Sequence, residues 1–95
     1  MFRIRKLLEN DITSILKIEG EISDSDLRFW AEVVGALNQD GVRQTVLDCC
    51  SVTSISQKAL EILSGRLSGG IYLVNCSVWV KNILNSAGRS KNVLD

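Results

Sequence analysis

A chain of 95 residues with 45 % hydrophobic content can build one domain around one core, residues 1–95, and has no room for a second. Eleven basic and eleven acidic side chains cancel, so nothing favours counterion-driven binding to nucleic acid or to an anionic membrane. Histidine is absent and the three cysteines, Cys49, Cys50 and Cys76, lack C-x-x-C spacing, which argues against the usual general base, a metal site and a disulfide framework.

Phe2 to Leu8 alternates, with Phe2 and Ile4 on one side and Arg3 and Arg5 on the other, as in a half-exposed outer strand. After the turn residues Glu9, Asn10 and Asp11, Thr13 to Ile22 alternates again, and the two strands read as an antiparallel hairpin. The alternation of the second strand predicts one sheet face left to solvent or to a partner. Ser23 and Asp26 stand at capping-box spacing, so a helix of about four turns begins near Asp24, with Gly41 as its left-handed terminator. Leu27, Trp30, Ala31, Val34 and Leu37 form its buried stripe. Phe29, Val33 and Ala36 form a second apolar row, read as extra core or as a contact surface.

Gln44 to Cys49 is the third strand, and the hydroxyl-rich residues after it form a loop. A helix from about Ser56 to Leu67 follows, with Leu60, Leu63 and Leu67 inside and Gln57, Lys58, Glu61 and Ser64 outside. Gly69 and Gly70 end it; Ile71 to Val74 is a short fourth strand; Ser77 caps a last helix in which Val80, Ile83, Leu84 and Ala87 share a face. Arg89 to Asp95 shows no pattern. The order ββαβαβα predicts an α/β fold: a mixed sheet of four strands in sequence order, with three or more helices mainly on one face. In such a layer the loop leaving a central strand's carboxyl end is where binding groups gather.

Around that loop, LDCCSVTSISQKAL resembles the STAS family, the domain of sulfate transporters and anti-sigma factor antagonists. Leu47, Asp48, Val52, Ile55 and Leu60 match the family's skeleton, supported by Gly20 and Glu21 in strand two and by Leu73, Val74 and Asn75. The resemblance spans Ile12 to Gly88. It implies a STAS fold and places the family's Asp-Ser-Ser-Gly over Ser56, Gln57, Lys58 and Ala59, so that Gln57 stands where the antagonists carry their phosphorylatable serine.

Ser56 reads as a helix N-cap and, alternatively, as a displaced phosphoacceptor. Gln57, Lys58 and Glu61 are a solvated face or partner contacts. Cys49 and Cys50 point to opposite sides of a strand and read as small buried hydrophobes, and Trp30 and Trp79 as core or interface residues. Lys58 beside Ser56 is a poor hydrolase pair, so no catalytic residue and no cofactor is expected. The first function hypothesis is a non-enzymatic regulatory module that binds a protein partner through Ser54, Ser56, Gln57, Lys58 and Glu61 together with Ser23, Asp24 and Asp26. By resemblance, that partner is an anti-sigma factor of the serine-kinase type. The alternative is an accessory subunit on the ATPase of an ABC-type lipid transporter; small-ligand sensing has least support. The residues through Gln57 hold six bases and nine acids, net minus three, and those from Lys58 onward five and two, net plus three, a polarity suited to an oriented protein contact. With no signal-like start and no membrane-length apolar run, a cytoplasmic protein without membrane insertion is expected; homo-oligomerisation stays open.

Overall fold

The computed structural model describes residues 1–39 and 41–94. β1 (Phe2–Glu9) and β2 (Thr13–Ile22) form the antiparallel hairpin. Asn10 closes it: its side-chain carbonyl accepts from the amides of Ile12 and Thr13 at 3.0 and 2.9 Å, standing in for backbone acceptors in the turn. β3 (Gln44–Ile55) and β4 (Ile71–Val74) add in parallel, giving the order β1-β2-β3-β4. α1 (Leu27–Gly35) and α2 (Gln57–Arg66) are the crossovers, and α3 (Val78–Ser86) follows β4.

Crossovers of one hand between adjacent strands put successive helices on one face, and the packing shows it. Ile18, Ile22, Leu47 and Leu73 from the sheet meet Trp30 and Val34 of α1, Leu60 and Leu63 of α2 and Leu84 of α3, all 2 % exposed or less. Each such side chain contributes about 1.5–3 kcal/mol of burial. On the opposite face Arg3 and Arg5 both reach Glu19, at 3.0 and 3.2 Å.

Four expectations need correction. The hydroxyl-rich stretch after Cys49 is strand, not loop. Had β3 stopped there, the carboxyl half of β2 would have lost its ladder; instead Glu19, Gly20, Glu21 and Ile22 pair with Ser51, Val52, Ser54 and Ile55. Two register shifts, after Lys17 and after Gly20, absorb the extra residues of β3. Secondly, the first helix is shorter than four turns: a 3-10 turn at Asp24–Asp26 leads into nine α-helical residues that stop at Gly35. Leu37 N bonds to Val34 O at 3.2 Å, the tighter 3-10 spacing, and Asn38 at φ 54° takes the left-handed position ahead of Gly41.

Thirdly, Ala31 and Ala87, expected inside, are exposed; of the second apolar row, Val33 packs against the core whereas Ala36 and Phe29 are exposed, Phe29 stacking on Phe2 with centroids 5.2 Å apart. Cys50 is exposed too, whereas Cys49 packs against the core. Finally, the patternless end has structure as far as Leu94. A 3-10 turn at Ser90–Asn92 returns the chain to β4, where Leu94 N bonds to Leu73 O at 2.7 Å and covers part of that edge. Asp95 lies outside the described residues.

Candidate functional site

The long pairing of β2 with β3 sets the geometry of the expected site. Glu21 lies opposite Ser54 and Ile22 opposite Ile55, and Ser56 N donates to Ile22 O at 2.8 Å, so the Ser23–Asp26 turn sits beside the entry to α2. Ser56 is the N-cap: its backbone is extended and its hydroxyl accepts from Ala59 N at 3.2 Å. That places Gln57 at the first helical position. Ala59, Leu60 and Leu63 turn into the core, which leaves Gln57, Lys58 and Glu61 exposed on the outer side.

The expected contact residues therefore divide. Asp24, Ser54, Gln57, Lys58 and Glu61 face solvent, and the Ser54 hydroxyl donates to Glu21 Oε2 at 3.2 Å. Ser23, Asp26 and Ser56 are half-buried and engaged in local structure. The Asp26 carboxylate accepts from Ser23 N and Ser23 Oγ, both at 3.0 Å, and lies 3.3 Å from the Met1 ammonium. The Ser23 amide is the main reason its carboxyl titrates below the usual range.

Asp48 also lies differently from expectation, seven residues before the end of β3. Its Oδ1 accepts from Asn75 Nδ2 and Cys50 N, both at 3.0 Å, and these bonds, Asn75 foremost, hold its carboxyl below the ordinary range. Asn75 adopts φ 59°, so Asp48 braces the turn that launches α3. On the other side of the strand, hydrogen bonding with Cys76 and then burial push the Cys49 thiol up, keeping it protonated and unreactive.

Trp79 reads from the sequence as core or interface, with the start of α3 not joined to this rim. Ser77 caps α3 by accepting from Val80 N at 3.3 Å, and the next two residues, Val78 and Trp79, are 72 % and 49 % exposed. Trp79 borders the same cleft as Thr53 and Ser54. By contrast Trp30 is buried and donates its indole N–H to Ala59 O at 2.9 Å. The signal was available: Val78, Trp79 and Val80 are three consecutive apolar residues at a helix start, more than one helical face can bury. Among the described residues no group of three or more His, Cys, Asp or Glu could hold a metal ion, and no helix is long and apolar enough to cross a membrane.

Backbone comparison with solved structures gives close matches. Two are structures of SpoIIAA. The Bacillus cell fate determinant in its phosphorylated form has a TM-score of 0.71 at 12 % identity, covering 98 % of this chain and 90 % of that one. The chain has the fold of the anti-sigma factor antagonists. The antagonist SpoIIAA in its unphosphorylated form matches at 0.66 and 11 % identity, over 87 % and 82 % of the two chains. An anti-sigma factor antagonist from Mycobacterium paratuberculosis matches at 0.69 and 22 %, over 96 % and 83 %. No family model and no curated protein matches by sequence. The antagonist fold accounts for the helices sharing one face and for the mixed sheet, as the STAS resemblance implied.

Proposed function

We propose that this chain is a non-enzymatic regulatory module that docks a protein partner, an anti-sigma factor of the serine-kinase type, at the rim where β2 and β3 end and α2 begins. The observation that carries this reading is the convergence of Asp24, Ser54, Gln57, Lys58 and Glu61 on one exposed edge of an antagonist fold. The backbone beneath each of these residues is held by a ladder, a 3-10 turn or a helix, so little backbone ordering opposes docking. Ser23, Asp26 and Ser56 shape the edge. Val78 and Trp79 add an apolar anchor of the kind that dominates interface energetics.

Gln57 sits at the position where the resemblance puts the phosphoacceptor, and an amide cannot be phosphorylated. The surface is then constitutively ready to dock unless Ser56 or a neighbouring hydroxyl carries the modification. A phosphate there would be tolerated by the free amides and dipole of α2, and its charge would act on the partner.

Co-purification from the source cell with mass spectrometry identifies the partner. An anti-sigma factor is expected; recovery of a transporter ATPase instead would replace this reading. Gln57→Glu and Lys58→Glu each add negative charge on exposed positions, and Gln57→Glu also suits the helix N-terminus. Both variants should melt as the parent does and bind at least about tenfold more weakly. Parental affinity in both would show that docking uses another face.

A further inference from the structure

Beneath the rim lies a cavity of about 260 Å³, partly open between the end of β3 and the starts of α2 and α3. Ile18, Ile22, Leu60, Leu63 and Leu73 wall its interior, and no charged side chain lines it. Other clefts of this molecule match its volume; what sets it apart is a largely apolar lining without charge, the character of a small-molecule site.

Water is a poor occupant. The Trp30 indole is committed to Ala59 O at 2.9 Å, the Cys49 thiol to Leu47 O at 3.9 Å and to Cys76, and the Ser54 hydroxyl to Glu21 at 3.2 Å. Water inside would find few of the two to four partners it needs. Polar groups gather instead at the mouth, where Thr53, Ser54 and Ser77 stand beside Trp79. Two further clefts carry charge: one near the hairpin turn is lined by Lys6, Glu9 and Arg43, and one beside the start of β1 by Arg3 and Glu19, so neither offers an uncharged lining.

We propose that this cavity binds a small uncharged amphiphile: a hydrocarbon chain inside and a single neutral polar end, such as a hydroxyl, at the serine-lined mouth. An engineered apolar cavity of about 150 Å³ holds benzene, so by proportion this one takes about ten non-hydrogen atoms. No charged side chain of either sign lines the cavity to pair with an ionised end, and an anionic end would also face Glu21 behind Ser54 at the mouth. The inference stands whether or not the rim docks an anti-sigma factor.

The test titrates the intact protein with 1-octanol and, in parallel, octanoate, following tryptophan emission, amide chemical shifts and Tm. Octanol is expected to saturate below its solubility limit, to raise Tm, and to shift amides around Ile18, Leu63, Leu73 and Val80; octanoate should bind at least tenfold more weakly. Val52→Phe and Val80→Phe, both at half-buried lining positions, fill the space and should weaken octanol at least tenfold, with circular dichroism reporting that each is folded. The proposal is overturned if octanol does not saturate, if its shifts lie elsewhere, if octanoate binds equally well, or if a folded filling variant binds octanol as the parent does.

Discussion

Ser56 and Asp48 show how single polar side chains set this edge. The Ser56 hydroxyl satisfies the otherwise unpartnered Ala59 amide at 3.2 Å and thereby fixes where α2 starts. Ser56→Ala should cost about 1 kcal/mol in urea unfolding, and Ser56→Asp, which restores the acceptor, should recover most of it. Asp48 ties β3 to the β4–α3 turn through Asn75. Its folded carboxyl titrates below its unfolded value of about 3.9, so the unfolded chain binds the proton first as pH falls. The stability it confers is complete above that value and is lost as pH drops through the folded one. Asp48→Asn should therefore lower stability at neutral pH and flatten the acid limb below about pH 4, read from urea midpoints across pH. Asp26, shifted in the same direction, keeps part of the limb in that variant.

Among elements, β3 decides where the site lies, and it was only half legible in the sequence. Its apolar first half announced a strand, but Cys50, Ser51 and Ser54 interrupt the second half, where only Val52, Thr53 and Ile55 are β-branched. What makes them strand is β2, some thirty residues earlier, whose exposed edge they complete. Such pairing is tertiary and leaves no local periodicity. The Ser56 and Ser77 caps, being local, were readable. The exposure of Phe29 and Trp79 was not, because helical spacing marks an apolar face without saying what covers it. Gly20 illustrates the same long-range logic: it adopts φ 100° between the two shifts of β2, and a Cβ there would sit 2.7 Å from the Met1 carbonyl oxygen. Gly20→Ala combines left-handed strain with a backbone clash and should destabilise by about 1–3 kcal/mol, measurable as a lower urea midpoint. Gly65→Ala, with open space around it in α2, should be stabilising by about 0.5–1 kcal/mol and serves as the control.

At the scale of the molecule, one core takes residues from all four strands and all three helices, while the proposed docking edge lies at its margin. The accessible surface is 5545 Å², so a standard partner footprint of about 800 Å² per side covers roughly a seventh of it. Docking and stability are thus separable, and the two tryptophans report on them separately. Trp30 is 1 % exposed and Trp79 49 %. In the folded protein, acrylamide should quench Trp79 and spare Trp30; unfolding in urea should expose Trp30 in a single cooperative step, as expected of one core. A partner seated on the rim buries Trp79 without disturbing Trp30. The complex should therefore lose most of its quenchable emission, and Trp79→Phe should abolish that difference while leaving the unfolding midpoint within about 0.5 kcal/mol of the parent. If Trp79 stays quenchable in the complex, the start of α3 lies outside the interface, and the docking edge contracts to α2 and the ends of β2 and β3.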